Sequence, residues 1–296
     1  MHNDFWAIVF SLTSAALLGI GAVLGRIGVR YASVRIGASI SVPITAIFFW
    51  FVSPMLLKLE NVSLTAIAIF AAVGILFPAV VTLLNFESAR RLGPSISSAL
   101  GASTALFSAA LAVIWLDERL TITMLIGTLV IVMGVALITV RHADRTSSFS
   151  TSWMLIPIAG AAIRATAQTT IKYALTIWAN PFAATLLGYT TSALLLFGTR
   201  PTTVDVSSKD RRRAVAWFAL AGICNGTAVL AMYAALNLGS VTLVAPLTTT
   251  SPLFAVLCSA VILREERFHR RLLAGIALTV IGAALLVVRL NHGVGK

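Results

Sequence analysis

The chain has 296 residues, of which 58% are apolar and 11% are charged, and its mean hydropathy is +0.96. An ordinary soluble domain carries about 25% charged residues, so this composition excludes a soluble globular protein and predicts an integral membrane protein. The net charge of +12 does not indicate a nucleic-acid partner, because the Lys and Arg residues cluster in short segments between long apolar runs.

Ten apolar runs are each long enough to cross a hydrocarbon core of about 30 Å, which takes roughly 20 helical residues. The runs are continuous and lack the apolar/polar alternation of barrel strands, so they predict helices. We therefore expect an all-α membrane protein with ten transmembrane helices, numbered here as spans 1 to 10. Their approximate ranges are 6–28, 36–57, 64–85, 94–116, 121–140, 153–174, 181–199, 214–236, 241–263 and 270–288.

The second half of the chain repeats the sequence pattern of the first. Span 4 ends at a Glu-Arg pair, and the glycine Gly127 follows nine residues after Glu118. Span 9 ends at a second Glu-Arg pair, and Gly275 follows nine residues after Glu266. This self-similarity predicts an internal duplication.

Each copy holds five spans, and an odd number of crossings makes the second copy enter the membrane from the opposite face. We therefore predict two inverted five-helix repeats, comprising residues 1–146 and 147–296. The charges agree with the inversion, since Lys58 is the only basic residue of the loop after span 2 whereas the loop after span 7 is strongly basic.

The doubled Glu-Arg turn, together with Ala245-Pro246 and Ser251-Pro252-Leu253-Phe254 in span 9, resembles the EamA-type branch of the drug/metabolite transporter superfamily. The resemblance covers nearly the whole chain. It implies a multi-pass protein of the plasma (inner) membrane that binds a small-molecule substrate and carries it across the lipid bilayer.

Two transport functions remain open at this stage. The first is a secondary transporter of a small metabolite, an amino acid or other carboxylate-bearing solute, which works by alternating access around a central cavity. The alternative is a multidrug exporter of lipophilic cations. An acidic residue embedded in a span would favour this alternative. We expect no enzyme, no cofactor and no metal site, because no catalytic constellation is visible and Cys224 and Cys258 lack ligand spacing.

The polar residues of the first repeat lie towards the ends of its spans. Arg26 near the end of span 1 either reaches the headgroups or lines a pocket. Glu87 after span 3 either pairs with a neighbouring arginine or couples transport to protons. Glu118 and its repeat equivalent Glu266 are expected to fix turns, because a carboxylate is favoured near the N-terminus of the helix that follows.

Span 6 carries the most informative residue, Arg164, which falls close to the middle of the membrane. A charge at that depth must face protein, water or ligand. The planar guanidinium matches a carboxylate in two hydrogen bonds, and Gln168 lies one turn further along the same face. We predict that Arg164 and Gln168 bind an anionic group of the substrate; the alternative for Arg164 is a structural bond to backbone carbonyls.

Spans 8 and 9 supply the remaining predicted substrate ligands, Asn225, Tyr233 and Thr249. Pro246 and Pro252 interrupt the hydrogen bonding of span 9 and predict a local break, which membranes tolerate where a cavity is lined.

The sequence leaves two alternatives for the orientation of the chain in the membrane. The basic loops follow the odd-numbered spans, and the positive-inside rule would place them in the cytoplasm with both termini outside. The family resemblance implies that both termini lie in the cytoplasm.

Overall fold

The computed structural model describes residues 2–92, 94–139, 151–197, 208–262 and 270–292, and every regular element in these ranges is helical. The first repeat holds α1 (His2–Val29), α2 (Val34–Leu56), α3 (Leu64–Gly74), a π-helical turn (Ile75–Val80), α4 (Val81–Leu92), α5 (Pro94–Gly101), α6 (Thr104–Leu116) and α7 (Ile122–Thr139). The second holds a 3-10 turn (Thr151–Met154), α8 (Leu155–Ile177), α9 (Pro181–Phe197), α10 (Ser208–Leu238), α11 (Val241–Thr248), α12 (Ser251–Ile262) and α13 (Arg270–His292).

Eight helical stretches within the described ranges are long and apolar enough to cross a membrane, and they correspond to spans 1 to 5 and 8 to 10. Span 6 corresponds to α8, whose hydropathy is lowered by Arg164, Gln168 and Lys172. Span 7 corresponds to α9, whose apolar part, Pro181–Leu196, is shorter. The all-helical membrane fold is confirmed, and a total of ten crossings stays a prediction.

Spans 4 and 9 are each divided into two shorter helices. The division of span 9 follows α11 at Thr249 and Thr250, as its two prolines predict, because proline lacks the amide hydrogen that a helix interior needs. The division of span 4, at Ala102 and Ser103, occurs without a proline and was not predicted. The two breaks fall at equivalent places, since Ser103 and Thr249 differ by the same 146 residues as Gly93 and Gly239.

The contact between α7 and α13 shows how the repeats are related. A side-chain carbon built on Gly134 would lie 2.8 Å from the carbonyl oxygen of Gly275, and one built on Gly282 would lie 2.8 Å from that of Gly127. Gly275 and Gly282 are the repeat equivalents of Gly127 and Gly134, so the equivalent glycines pair in reversed order. The two helices are therefore antiparallel, which confirms that the repeats are inverted.

Helices of each repeat pack against helices of the other. From the first repeat, α1 packs against α10, α11 and α12, and from the second, α8 packs against α3, α4, α5 and α6. Large buried side chains between them, Phe49, Phe70, Ile171 and Leu236, belong to one apolar cluster. The centre of the molecule is thus formed by both halves. The predicted repeat boundary near residue 147 lies outside the described residues.

Candidate functional site

Arg164 lies where the two repeats meet. It is about two residues, or roughly 3 Å along the axis, from the middle of α8. The carbon at the centre of its guanidinium is 5.8 Å from the centre of the Phe77 ring, which belongs to the first repeat. The Nε atom is buried and has no hydrogen-bond partner among the described residues. This partly buried cation therefore retains an unused donor.

Phe77 owes its position to a break in the helix that carries it. Its backbone has φ −136° and ψ 125° inside the π-helical turn, so Phe77 is extended rather than helical. Pro78 follows it, and a proline disfavours the helical conformation in the residue before it. An irregular backbone at membrane depth is tolerated where it is packed against protein or lines a cavity. The break thus places an aromatic face beside Arg164.

Gln168, one turn after Arg164 on α8, is buried and already bonded to protein. Its Oε1 accepts a hydrogen bond of 2.8 Å from the hydroxyl of Ser108 on α6, and its amide nitrogen lies 3.3 Å from the sulfur of Met232 on α10. Gln168 therefore joins three helices at the level of the site. This arrangement supports a role in holding α8 in place beside any role in binding substrate.

A second amide lies on the other side of Arg164. A side-chain carbon built on Gly160, one turn before Arg164, would lie 3.7 Å from Oδ1 of Asn85 on α4. Asn85 and Phe77 were not among the predicted site residues. The sequence signals that could have indicated them are Pro78, which marks a break in span 3, and an amide side chain close to the end of that span.

The other predicted ligands make contacts of their own. Asn225 packs against α1, because a side-chain carbon on Gly21 would lie only 2.2 Å from its Oδ1. Arg26 is exposed near the C-terminal end of the same helix. Tyr233 is buried in the apolar cluster, and the hydroxyl of Thr249 donates to the carbonyl oxygen of Ala245 at the break in span 9. Their roles in binding substrate stay predictions.

The sequence model of the EamA-like transporter family matches residues 5–140 and 151–288, which is most of the chain. The chain belongs to this family. The resemblance inferred from the doubled Glu-Arg turn is thereby confirmed. No curated protein matches the sequence. A solved crystal structure is similar over 98% of this chain and 99% of its own, with a TM-score of 0.76 and 16% sequence identity, which shows a shared fold alone.

Membership of the EamA-like family makes this chain a multi-pass membrane protein of a family of small-solute transporters rather than enzymes. Its partners are accordingly a lipid bilayer and a small molecule. Among the described residues, no group of three or more His, Cys, Asp or Glu side chains could hold a metal ion.

Glu118 of this EamA-like protein lies at a helix N-terminus, but not at that of the next helix in sequence. Its two carboxylate oxygens accept hydrogen bonds from the backbone N–H groups of Val241 and Thr242, at 2.8 and 2.9 Å. These residues begin α11 in the other repeat. The turn-fixing role remains a prediction that this contact supports, and the equivalent Glu266 lies outside the described residues.

Glu87, the predicted coupling residue, pairs with Arg91 one turn later on α4. The Arg91 guanidinium also lies over the ring of Trp153, 3.5 Å from its centre. Trp153 begins the second repeat, so this cluster joins the two halves at the end of α4. The contact is the one expected of a local ion pair, and a coupling role for Glu87 is untested.

A pocket of about 600 Å³ opens near the end of α2 and the start of α9. Lys58, Glu60, Asn61, Trp178 and Asn180 are among its lining residues, and Arg164 is not. Two hydrogen bonds hold its wall together, from the Trp178 indole to the Glu60 carbonyl oxygen and from the Asn180 amide to the Lys58 carbonyl oxygen. This pocket lies apart from the face of α8 that carries Arg164.

Proposed function

We propose that this protein is a secondary transporter that moves a small carboxylate-bearing metabolite, such as an amino acid, across the plasma membrane. Transport proceeds by alternating access, in which the two inverted repeats move about a site at their interface. The single observation that carries the proposal is the buried Nε of Arg164, which has no hydrogen-bond partner among the described residues.

The free energy of a buried charge explains why this observation points to a ligand. An arginine near the middle of a membrane helix is unfavourable by about 2.5 kcal/mol to more than about 10 kcal/mol, depending on the reference state. No acidic residue of the sequence lies in the interior of a predicted span. A substrate carboxylate would neutralise the guanidinium and engage its fork in two hydrogen bonds.

The surroundings of Arg164 suit a small solute with both polar and apolar parts. The Phe77 ring offers an apolar face, and Gln168 and Asn85 offer amides one turn to either side. Few polar groups placed in an apolar setting are typical of small-molecule sites. A lipophilic cation, the substrate class of the alternative function, would be repelled by Arg164.

The proposal is tested by uptake into proteoliposomes with Arg164→Ala, Arg164→Lys and a matched surface control. We expect Arg164→Ala to lower kcat/KM for a transported amino acid by roughly tenfold to 150-fold, the loss of a hydrogen bond to a charged group worth about 1.5–3 kcal/mol. Arg164→Lys keeps the charge without the fork and should lose less. Arg212→Ala, at an exposed position of α10, should transport like the unmodified protein.

The same vesicles separate the two transport functions. They are incubated with zwitterionic or anionic amino acids in one series and with tetraphenylphosphonium in the other, each with and without a pH gradient. Transport of the amino acids alone agrees with the proposal. Transport of tetraphenylphosphonium alone would assign the multidrug function. Unchanged amino-acid kinetics in Arg164→Ala would remove Arg164 from the site.

A further inference from the structure

Two charged side chains bind the turn between α10 and α11, one at each helix end. The carboxylate of Glu118 accepts from the first two N–H groups of α11, and the Lys172 ammonium donates to the carbonyl oxygens of Leu236 and Gly239 at 2.7 and 2.8 Å. We call Glu118, Lys172 and the turn they bind the clasp.

The clasp matches each charge to the helix end that attracts it. The first amides of a helix and its last carbonyls have no partners within the helix, and the helix dipole favours an anion at the N-terminus and a cation at the C-terminus. Glu118 meets the start of α11 and Lys172 meets the end of α10. All four hydrogen bonds are charge-assisted, so they are stronger than bonds between neutral groups.

Glu118 carries this interaction from one repeat to the other. It follows α6 of the first repeat, whereas the turn belongs to the second, and α6 also packs against α11 beside the clasp. Every residue of α11 is buried. The end of the molecule at which the clasp lies is therefore closed by direct contact between the two repeats.

The opposite end lacks the equivalent contact. Under the repeat, α6 corresponds to α12 and α11 corresponds to α5, so symmetry would pack α5 against α12. The structure describes no comparable packing between α5 and α12, although both lie in the described ranges. Of the α5 side chains that are described, only Ser97 is buried. The two ends of an inverted repeat thus differ, as in a transporter that is shut at one face.

We propose that the clasp is the lock of the closed face, which forms when that face shuts and separates when it opens. The inference rests on the proposed transport by alternating access, because a lock has a purpose only if the face opens. When Glu118 and Lys172 release the turn, water takes their place at the helix ends, and α11 moves away from α6.

The test measures the opening directly by the reaction of a buried cysteine with a membrane-impermeant maleimide. Cys224 and Cys258 are first replaced by alanine, and the protein is purified in detergent so that both faces meet the reagent. Val244→Cys reports on the closed face, because Val244 lies one turn into α11 and is 0% exposed. Ala184→Cys is the comparison reporter in α9, also 0% exposed, because α9 packs against α2, α3 and α10 but shows no comparable packing against α6 or α11 within the described ranges.

The clasp is then weakened with Glu118→Gln or Lys172→Met. We expect labelling of Val244→Cys to become about tenfold faster in either variant, because each removes a charge-assisted interaction. Labelling of Ala184→Cys should not change. Glu60→Gln, which alters an exposed carboxylate near the turn after α2, should change neither rate.

Two results would overturn the lock. The first is an unchanged rate at Val244→Cys in both clasp variants. The second is an equal increase at Val244→Cys and Ala184→Cys, since the clasp would then stabilise the whole fold rather than one face. The readout needs no substrate, so it is independent of Arg164: the lock can stand if the substrate assignment fails, and the reverse also holds.

Discussion

The contact between α7 and α13 allows a sharp prediction about stability. In Gly134→Ala the new methyl carbon would lie 2.5 Å from the hydroxyl oxygen of Thr279 and 2.6 Å from its backbone nitrogen. Non-bonded heavy atoms settle at about 3.5–4.0 Å, so the two helices must separate locally by about 1 Å. Inserting a carbon into a packed interface of this kind typically destabilises by about 1–3 kcal/mol.

The matched control is Gly25→Ala in α1, where an added side-chain carbon would meet nothing within 4 Å. There the change removes only the flexibility of glycine in a helix and should stabilise by about 0.5–1 kcal/mol. The assay is the midpoint of thermal unfolding of the purified protein in detergent. At roughly 2–4 °C per kcal/mol, Gly134→Ala should lower the midpoint by roughly 2–12 °C. A midpoint for Gly134→Ala at or above that of the unmodified protein would refute the close packing.

Two further substitutions test the neighbourhood of the site. Gln168→Leu removes the partner of the Ser108 hydroxyl and leaves it buried without a bond, so we expect a loss of stability of about 1–3 kcal/mol; a variant as stable as the unmodified protein would contradict the bridging role. Glu87→Gln should leave the response of uptake to a pH gradient unchanged, because Arg91 already engages its carboxylate; loss of that response in the proteoliposome assay would assign proton coupling to Glu87.

Some features of the site could be predicted from the sequence because they depend on where a residue lies along one helix. Arg164 and Gln168 are four residues apart, so helical geometry alone places them on one face of α8. The depth of Arg164 follows from its position in an apolar run. Which side chains of other helices come near them could not be predicted, and Phe77 and Asn85 emerged only from the packing of the first repeat against α8.

The partner of Glu118 could likewise not be predicted from the sequence. A carboxylate in a turn before a helix is reasonably assigned to that helix, because the nearest unpaired amides in sequence are there. In the structure it binds the start of α11, more than a hundred residues away in sequence. Hydrogen bonds of this range depend on how the two repeats dock, which no local pattern records.

The sequence by itself determined that the protein is a helical membrane protein with a duplicated half. These properties follow from hydropathy and from repeated spacing, which are properties of single segments and need no knowledge of their neighbours. Only the tertiary structure decided which end of the molecule is closed, because the two repeats carry similar motifs and the difference lies in the contact of α6 with α11. An inverted repeat can close either end with nearly the same residues, and the packing alone distinguishes the two.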